Sequence, residues 1–258
     1  MAPDWVASGE RNWAQAEPDW GEWCIPESEL AMLPADMTGL DAIELGCGTA
    51  YVSGWMVRRG ARVVGIDNSE RQLATARRLA AAHGVGLTLL HGDAEAVPYP
   101  DGSFDFAISE YGAAIWCDPY AWIPEAHRLL RPGGRLVFLG NAPLAMVCSP
   151  LDGSAPVTER LERDYFGLHR IDWRDAVDDP GGIEFNLPVS VWFRLFRDTG
   201  SSSRTTSRSA TPTPPARSGG QSRPTGPTAS RRSRCGSSAG QAARADSADP
   251  IRSTKLSV

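Results

Sequence analysis

Residues 42–55 read AIELGCGTAYVSGW, and the way this stretch divides decides the fold. An apolar run, a glycine turn and a helical pattern outline a buried strand that turns sharply into a helix. Gly46 and Gly48 stand at the carboxyl end of that strand, where they let the backbone approach a ligand in the crevice that open α/β sheets use. The dinucleotide fingerprint wants a third glycine at 51, and this chain has Tyr51 there, which argues against a nicotinamide cofactor. Glu44, just ahead of the turn, would repel a pyrophosphate and suits a ligand that carries positive charge.

Outward from this turn the same unit recurs. Further strands are expected at 61–67, 86–93, 104–110 and 135–140. Between them, Ser69 caps a helical run ended by Gly84, and residues 119–130 form a helix stopped by Pro132-Gly133-Gly134. Strands alternating with helices give a Rossmann-like, doubly wound and mostly parallel α/β sheet. Residues 141–186 are less regular, with a helical piece near 158–165, and 189–198 is an amphipathic helix with Gly200 at its C-cap. Residues 1–40 are Trp-rich and broken by Pro3, Pro18, Pro26 and Pro34, with 28–33 the best helix candidate. Trp5, Trp13, Trp20, Trp23 and Trp116 either wall an apolar acceptor pocket or belong to the core.

Asp67 ends the second strand of the series, where a carboxylate can accept both hydroxyls of a ribose. Asp93 follows the third, within reach of an adenine amino group. Taken with the glycine turn, ELGCGTA, VVGIDNS, GDAEAVPYPDGSFD and LRPGGRLVF resemble the class I S-adenosylmethionine-dependent methyltransferases that act on small molecules. The resemblance covers about residues 40–140. It implies S-adenosyl-L-methionine as cofactor, with Gly46, Cys47 and Gly48 passing close to its methionine part and Glu44 nearby. It implies Asp67, followed by Asn68, on the ribose, and Asp93 with the backbone of Ala94 on the adenine. Ser109 and Glu110 would face the methionine or the acceptor. The family usually has a third glycine where this chain has Ala50, which is strained if that position needs positive φ.

Methyl transfer from a sulfonium rests on alignment and exclusion of water, and a base is needed only for a protonated acceptor. Glu110, Tyr111 and His169 are the candidates, each weighed against an ordinary structural role, and Cys47 reads as a small residue in a tight turn. No metal site is expected. The five cysteines show no CxxC spacing, the N-terminus has no apolar signal core, and no apolar run approaches about 20 residues, so a reduced, cytoplasmic chain without a membrane span is expected.

From Ser201 onward the composition changes. Residues 201–258 contain no Phe, Tyr or Trp and carry nine Arg, one Lys and two Asp, a balance of +8. The other 16 basic and 29 acidic residues leave 1–200 at −13, which offers no attraction to a polyanion. Written TCG TCG TCG AGG ACT ACC TCG AGA TCC with one T restored ahead, SSSRTTSRS (201–209) becomes FVVEDYLEI, a strand-like string absent from this chain. The same shift turns TGPTASRRSRCGSSA (225–239) into WAHRFPSEQVWVVR. Both match missing strands of the family's seven-stranded sheet, so the tail reads as a one-nucleotide frameshift product, with the last two strands missing and the fifth left as an exposed edge. The competing reading is a disordered basic arm. The expected organisation is a helical lid at 1–40, the methyltransferase domain at 41–200 and the tail at 201–258, acting on a small-molecule acceptor without nucleic acid or membrane. The alternatives are a nicotinamide-dependent reductase and a nucleic-acid-binding module that uses the tail.

Overall fold

A computed structural model describes residues 4–21, 23–151, 157–174, 182–201 and 253–257. Helix α1 (Asp4–Ala14) leads into a short hairpin, β1 (Asp19–Trp20) on β2 (Ile25–Pro26), and one helical turn, α2 (Glu27–Leu30). The helix expected over 28–33 stops early because Ala31 is left-handed, with φ 47°. The buried Glu27 carboxylate organises this corner. It accepts from Trp20 Nε1, Met32 N and Leu33 N and pairs with Arg59 at 3.0 Å.

The alternating units follow as β3 (Asp41–Leu45), α3 (Tyr51–Arg58), β4 (Arg62–Asp67), α4 (Glu70–Ala82) and β5 (Thr88–His91). After them come β6 (Phe104–Glu110), the short α5 (Ala113–Trp116), α6 (Pro119–Leu129) and β7 (Leu130–Asn141). Caps set these boundaries: Ser69 accepts from Gln72 N, and Asp118 accepts from Tyr120 N ahead of Pro119. Beyond lie α7 (Pro143–Cys148), a hairpin of β8 (Arg170–Asp172) with β9 (Ile183–Phe185), α8 (Val189–Asp198) and β10 (Ser253–Ser257). The helix expected near 158–165 does not form. Thr158 Oγ1 and Asp164 Oδ1 instead accept backbone N–H groups two residues on, a local alternative to helical bonding.

The sheet runs β10-β7-β6-β3-β4-β5, with every pairing parallel except β10 on β7. Residues 253–257 pair with 137–141, so the exposed edge expected on the fifth parallel strand is corrected: this strand of the tail covers it. The sheet has six strands among the described residues, against the seven implied. Apart from Ser201, the rest of the tail, with both strings that the frame shift converts, lies outside the described residues.

Strand alternation sends Ile43, Leu45, Val64, Ile66 and Phe138 to one face, against Trp122 of α6 and Trp192 and Phe196 of α8. Phe138 sits 5.3 Å from the Trp122 ring and 5.4 Å from the Trp192 ring. The other face buries Val52, Trp55 and Met56 of α3 with Trp20 and Met32, while Leu73 and Leu79 of α4 pack on Trp13. The strand order reverses between β3 and β6, which places the ligand crevice at their carboxyl ends. Among the described residues no helix is long and apolar enough to cross a membrane. Cys47, Cys117 and Cys148 are free thiols.

Candidate active site

A cleft of about 410 Å³ opens at this switch point. The turn after β3 supplies its floor: Gly46 and Gly48 have φ of 73° and 52°. A Cβ on Gly46 would lie 2.5 Å from Ala113 N, and one on Gly112 would lie 2.1 Å from Gly46 O. The crossovers after β3 and β6 therefore touch backbone to backbone, which only glycine permits. Gly112 escaped the sequence reading because its partner is far away along the chain.

Asp67, nearly buried at the end of β4, accepts from Gly48 N at 2.7 Å and from Ser69 N at 2.8 Å. Each oxygen keeps a second acceptor site, so the fixed carboxylate can still receive two hydroxyls. Asp93 and Asn68 are exposed beyond this point, and Ala94 is buried. The Cys117 thiol is pushed up to about 12 by burial and by the charges of Glu95, Asp93 and Asp67. The Cys47 thiol is also raised by burial, in keeping with a packing role.

Glu44 is buried and accepts from Ser53 N at 2.7 Å and Ser53 Oγ at 2.6 Å. Burial pushes its pKa from 4.5 up to about 8, with the Glu110 and Asp67 charges adding to the rise. The folded ligand-free chain thus holds a proton here across a window in which the unfolded chain has lost it. Stability from this group is full below about pH 4.5 and is lost as pH climbs toward about 8. Melting curves of the ligand-free chain should show Tm falling across that window, and Glu44→Gln should flatten the fall; an unchanged slope in the variant would contradict this.

Glu110 ends β6, where it accepts from Tyr51 Oη and, at 3.1 Å, from Gly21 N of the β1–β2 turn. Burial raises both the Glu110 carboxyl and the Tyr51 phenol. Tyr51, which stands where a dinucleotide site has glycine, is thus part of the site. Tyr111 also lines the cleft and is left-handed, with φ 52°, an outlier for a bulky residue. Ser109 is placed beneath the cleft. It is fully buried, donates to Leu45 O at 2.8 Å and accepts from Ala114 N at 3.0 Å. His169 is not brought to the cleft either: its Nε2 lies 3.1 Å from Asp118 Oδ1, between the rings of Tyr120 and Phe185.

Helix α1 closes the other wall with Trp5, Ser8, Gly9, Arg11 and Asn12. It is pinned by Trp13 Nε1 donating to Thr49 O at 2.8 Å, and two close approaches demand glycine. A Cβ on Gly9 would lie 2.8 Å from Thr49 Oγ1, and one on Gly54 would lie 2.6 Å from the Trp13 ring. Trp20 is fully buried core, and Trp116 is half exposed.

Ala50 does adopt the left-handed conformation the glycine comparison implied, with φ 58° and ψ 31°. Strain of roughly 1 kcal/mol is offset by a buried methyl worth about 0.8 kcal/mol. Ala50→Gly should therefore change stability by less than about 1 kcal/mol in denaturant melts; a larger shift would show that one of these effects is misjudged.

Glu44, Asp67 and Glu110 line the cleft with one arginine, Arg11, among the described residues, a set of oxygen acceptors that disfavours a pyrophosphate and suits a cation. The fold is a doubly wound α/β domain with its cleft at the switch point. Residues 43–138 match the methyltransferase domain family. Over 103 residues the chain is 40% identical to the demethylmenaquinone methyltransferase of Thermus thermophilus, covering 39% of this chain and 47% of that protein. Over 101 residues it is 39% identical to the malonyl-[acyl-carrier protein] O-methyltransferase of Serratia marcescens, covering 39% and 38%. It thus spans less than half the length of these curated relatives. The solved S-adenosylmethionine dependent methyltransferase of Mesorhizobium loti superposes with a TM-score of 0.59 at 26% identity, over 72% of this chain and 84% of that one. Residues 43–138 thus resemble the methyltransferase domain family, in a fold shared with a solved S-adenosylmethionine dependent methyltransferase.

Proposed function

We propose that the protein transfers a methyl group from S-adenosyl-L-methionine to a small-molecule acceptor. The observation that carries this reading is the Asp67 carboxylate, locked by Gly48 N and Ser69 N beside the turn at the switch point. Asp67 would hold the ribose hydroxyls, the turn of Gly46 to Gly48 the methionine part, and Asp93 with Ala94 the adenine. The cofactor supplies an electrophilic methyl on a sulfonium. Glu44, ionised once a cation approaches, favours positive charge in the cleft. Helix α1 and the β1–β2 turn act as a lid that excludes water. Glu110 is the base candidate for a protonated acceptor, because Tyr51 and Gly21 hold it at the cleft wall. The two curated relatives act on different acceptors by name, so the acceptor class is open to direct assay. Purified chain, methyl-tritiated cofactor and pooled quinols and carboxylic acids should yield labelled organic product that Glu110→Gln diminishes. No label above a boiled control would count against transfer.

We also infer that residues 201–258 arise from a one-base shift. The strand closing the sheet comes from 253–257, more than 50 residues after α8, whereas the restored frame puts a strand directly behind that helix. Resequencing the source DNA around the codon for Ser201 tests this.

A further inference from the structure

Arg11 is the one cation among the described residues lining the cleft, and none of the three carboxylates there pairs with it. Glu44, Asp67 and Glu110 are already supplied with donors from Ser53, Gly48, Ser69, Tyr51 and Gly21. Glu10, the neighbour of Arg11 on α1, is bound to Arg78 at 2.7 Å on the α4 side. Arg11 Nε is buried without a hydrogen-bond partner, and so is Asn12 Oδ1 on the next residue. A buried donor and a buried acceptor left open in the lining of one cleft are costly unless a ligand satisfies them. The helix that carries them cannot drift away, because Trp13 and the Gly9–Thr49 contact seat it on the glycine turn.

We propose that Arg11 and Asn12 form a subsite for an α-amino-acid end, the guanidinium taking a carboxylate and the Asn12 oxygen taking an ammonium. This rests on the cofactor reading above. The group comes from one of two sources, the amino-acid end of the cofactor or an amino-acid acceptor bound beside it.

Calorimetry on the full chain separates them with three probes: S-adenosylhomocysteine, methylthioadenosine, which lacks the amino-acid end, and free L-methionine added to nucleoside-loaded protein. Loss of a charge-assisted bond should weaken the affected ligand about tenfold or more. If Arg11→Gln weakens S-adenosylhomocysteine that far and spares methylthioadenosine, the cofactor supplies the group. If it spares both nucleosides and removes the binding of L-methionine, the acceptor does. Arg11→Lys should recover part of either loss. Glu10→Gln, on the same helix but outside the cleft, should leave every probe unchanged. The proposal is overturned if Arg11→Gln changes none of the probes, if methylthioadenosine weakens in step, or if Glu10→Gln does equal damage. Failure of the unaltered chain to bind either nucleoside would instead overturn the cofactor reading beneath it.

Discussion

Asp67→Ala should weaken S-adenosylhomocysteine binding by about 100-fold while leaving the chain folded. The carboxylate offers two acceptor positions to a ribose, and each hydrogen bond to a charged group is worth about 1.5–3 kcal/mol. Two of them exceed the 2.7 kcal/mol that corresponds to about 100-fold. The substitution also removes the partner of Gly48 N, so the turn itself loosens and adds to the loss. Asp67→Asn keeps the shape and one acceptor, and should fall between the two. Titration of each variant, with circular dichroism as the check on folding, tests this. An affinity within threefold of the unaltered chain would remove Asp67 from the site.

Gly112→Ala is the second large effect. The added Cβ would fall 2.1 Å from Gly46 O and 2.7 Å from Leu45 O, and both neighbours are backbone that cannot swing aside. Separating the two crossovers should cost about 3 kcal/mol, or a Tm lowered by about 10 °C. The same shift misplaces the glycine turn, so cofactor affinity should fall with stability. Gly86→Ala is the control, since nothing lies within 4 Å of its added Cβ and its φ is not positive. That variant should be neutral or slightly stabilising. Equal melting temperatures for both variants would show that the crossovers do not depend on this contact.

What the sequence made legible was whatever local backbone chemistry dictates. Gly46, Gly48 and Asp67 sit at strand ends, where a turn and a carboxylate have few alternatives, and the structure brings them to one cleft. Ala50 is legible for the same reason, since a missing glycine announces a left-handed residue. Pairings distant along the chain were not legible. Nothing near Gly9 or Gly54 shows that Thr49 and Trp13 will press against them, and nothing near His169 shows that Asp118 will claim it. Ser109 is a different case: successive strand residues point to opposite faces, so Ser109 and Glu110 could not both reach the cleft. Residues 158–165 carried helical spacing, but Thr158 and Asp164 turned the backbone on themselves.

Calorimetric titration of the full chain with S-adenosylhomocysteine and, separately, NADPH decides whether this cleft binds the methyl-donor nucleoside. One-to-one binding of S-adenosylhomocysteine, lost in Asp67→Ala, and no binding of NADPH are expected. Saturable binding of NADPH, or no heat with S-adenosylhomocysteine from a folded chain, would contradict this.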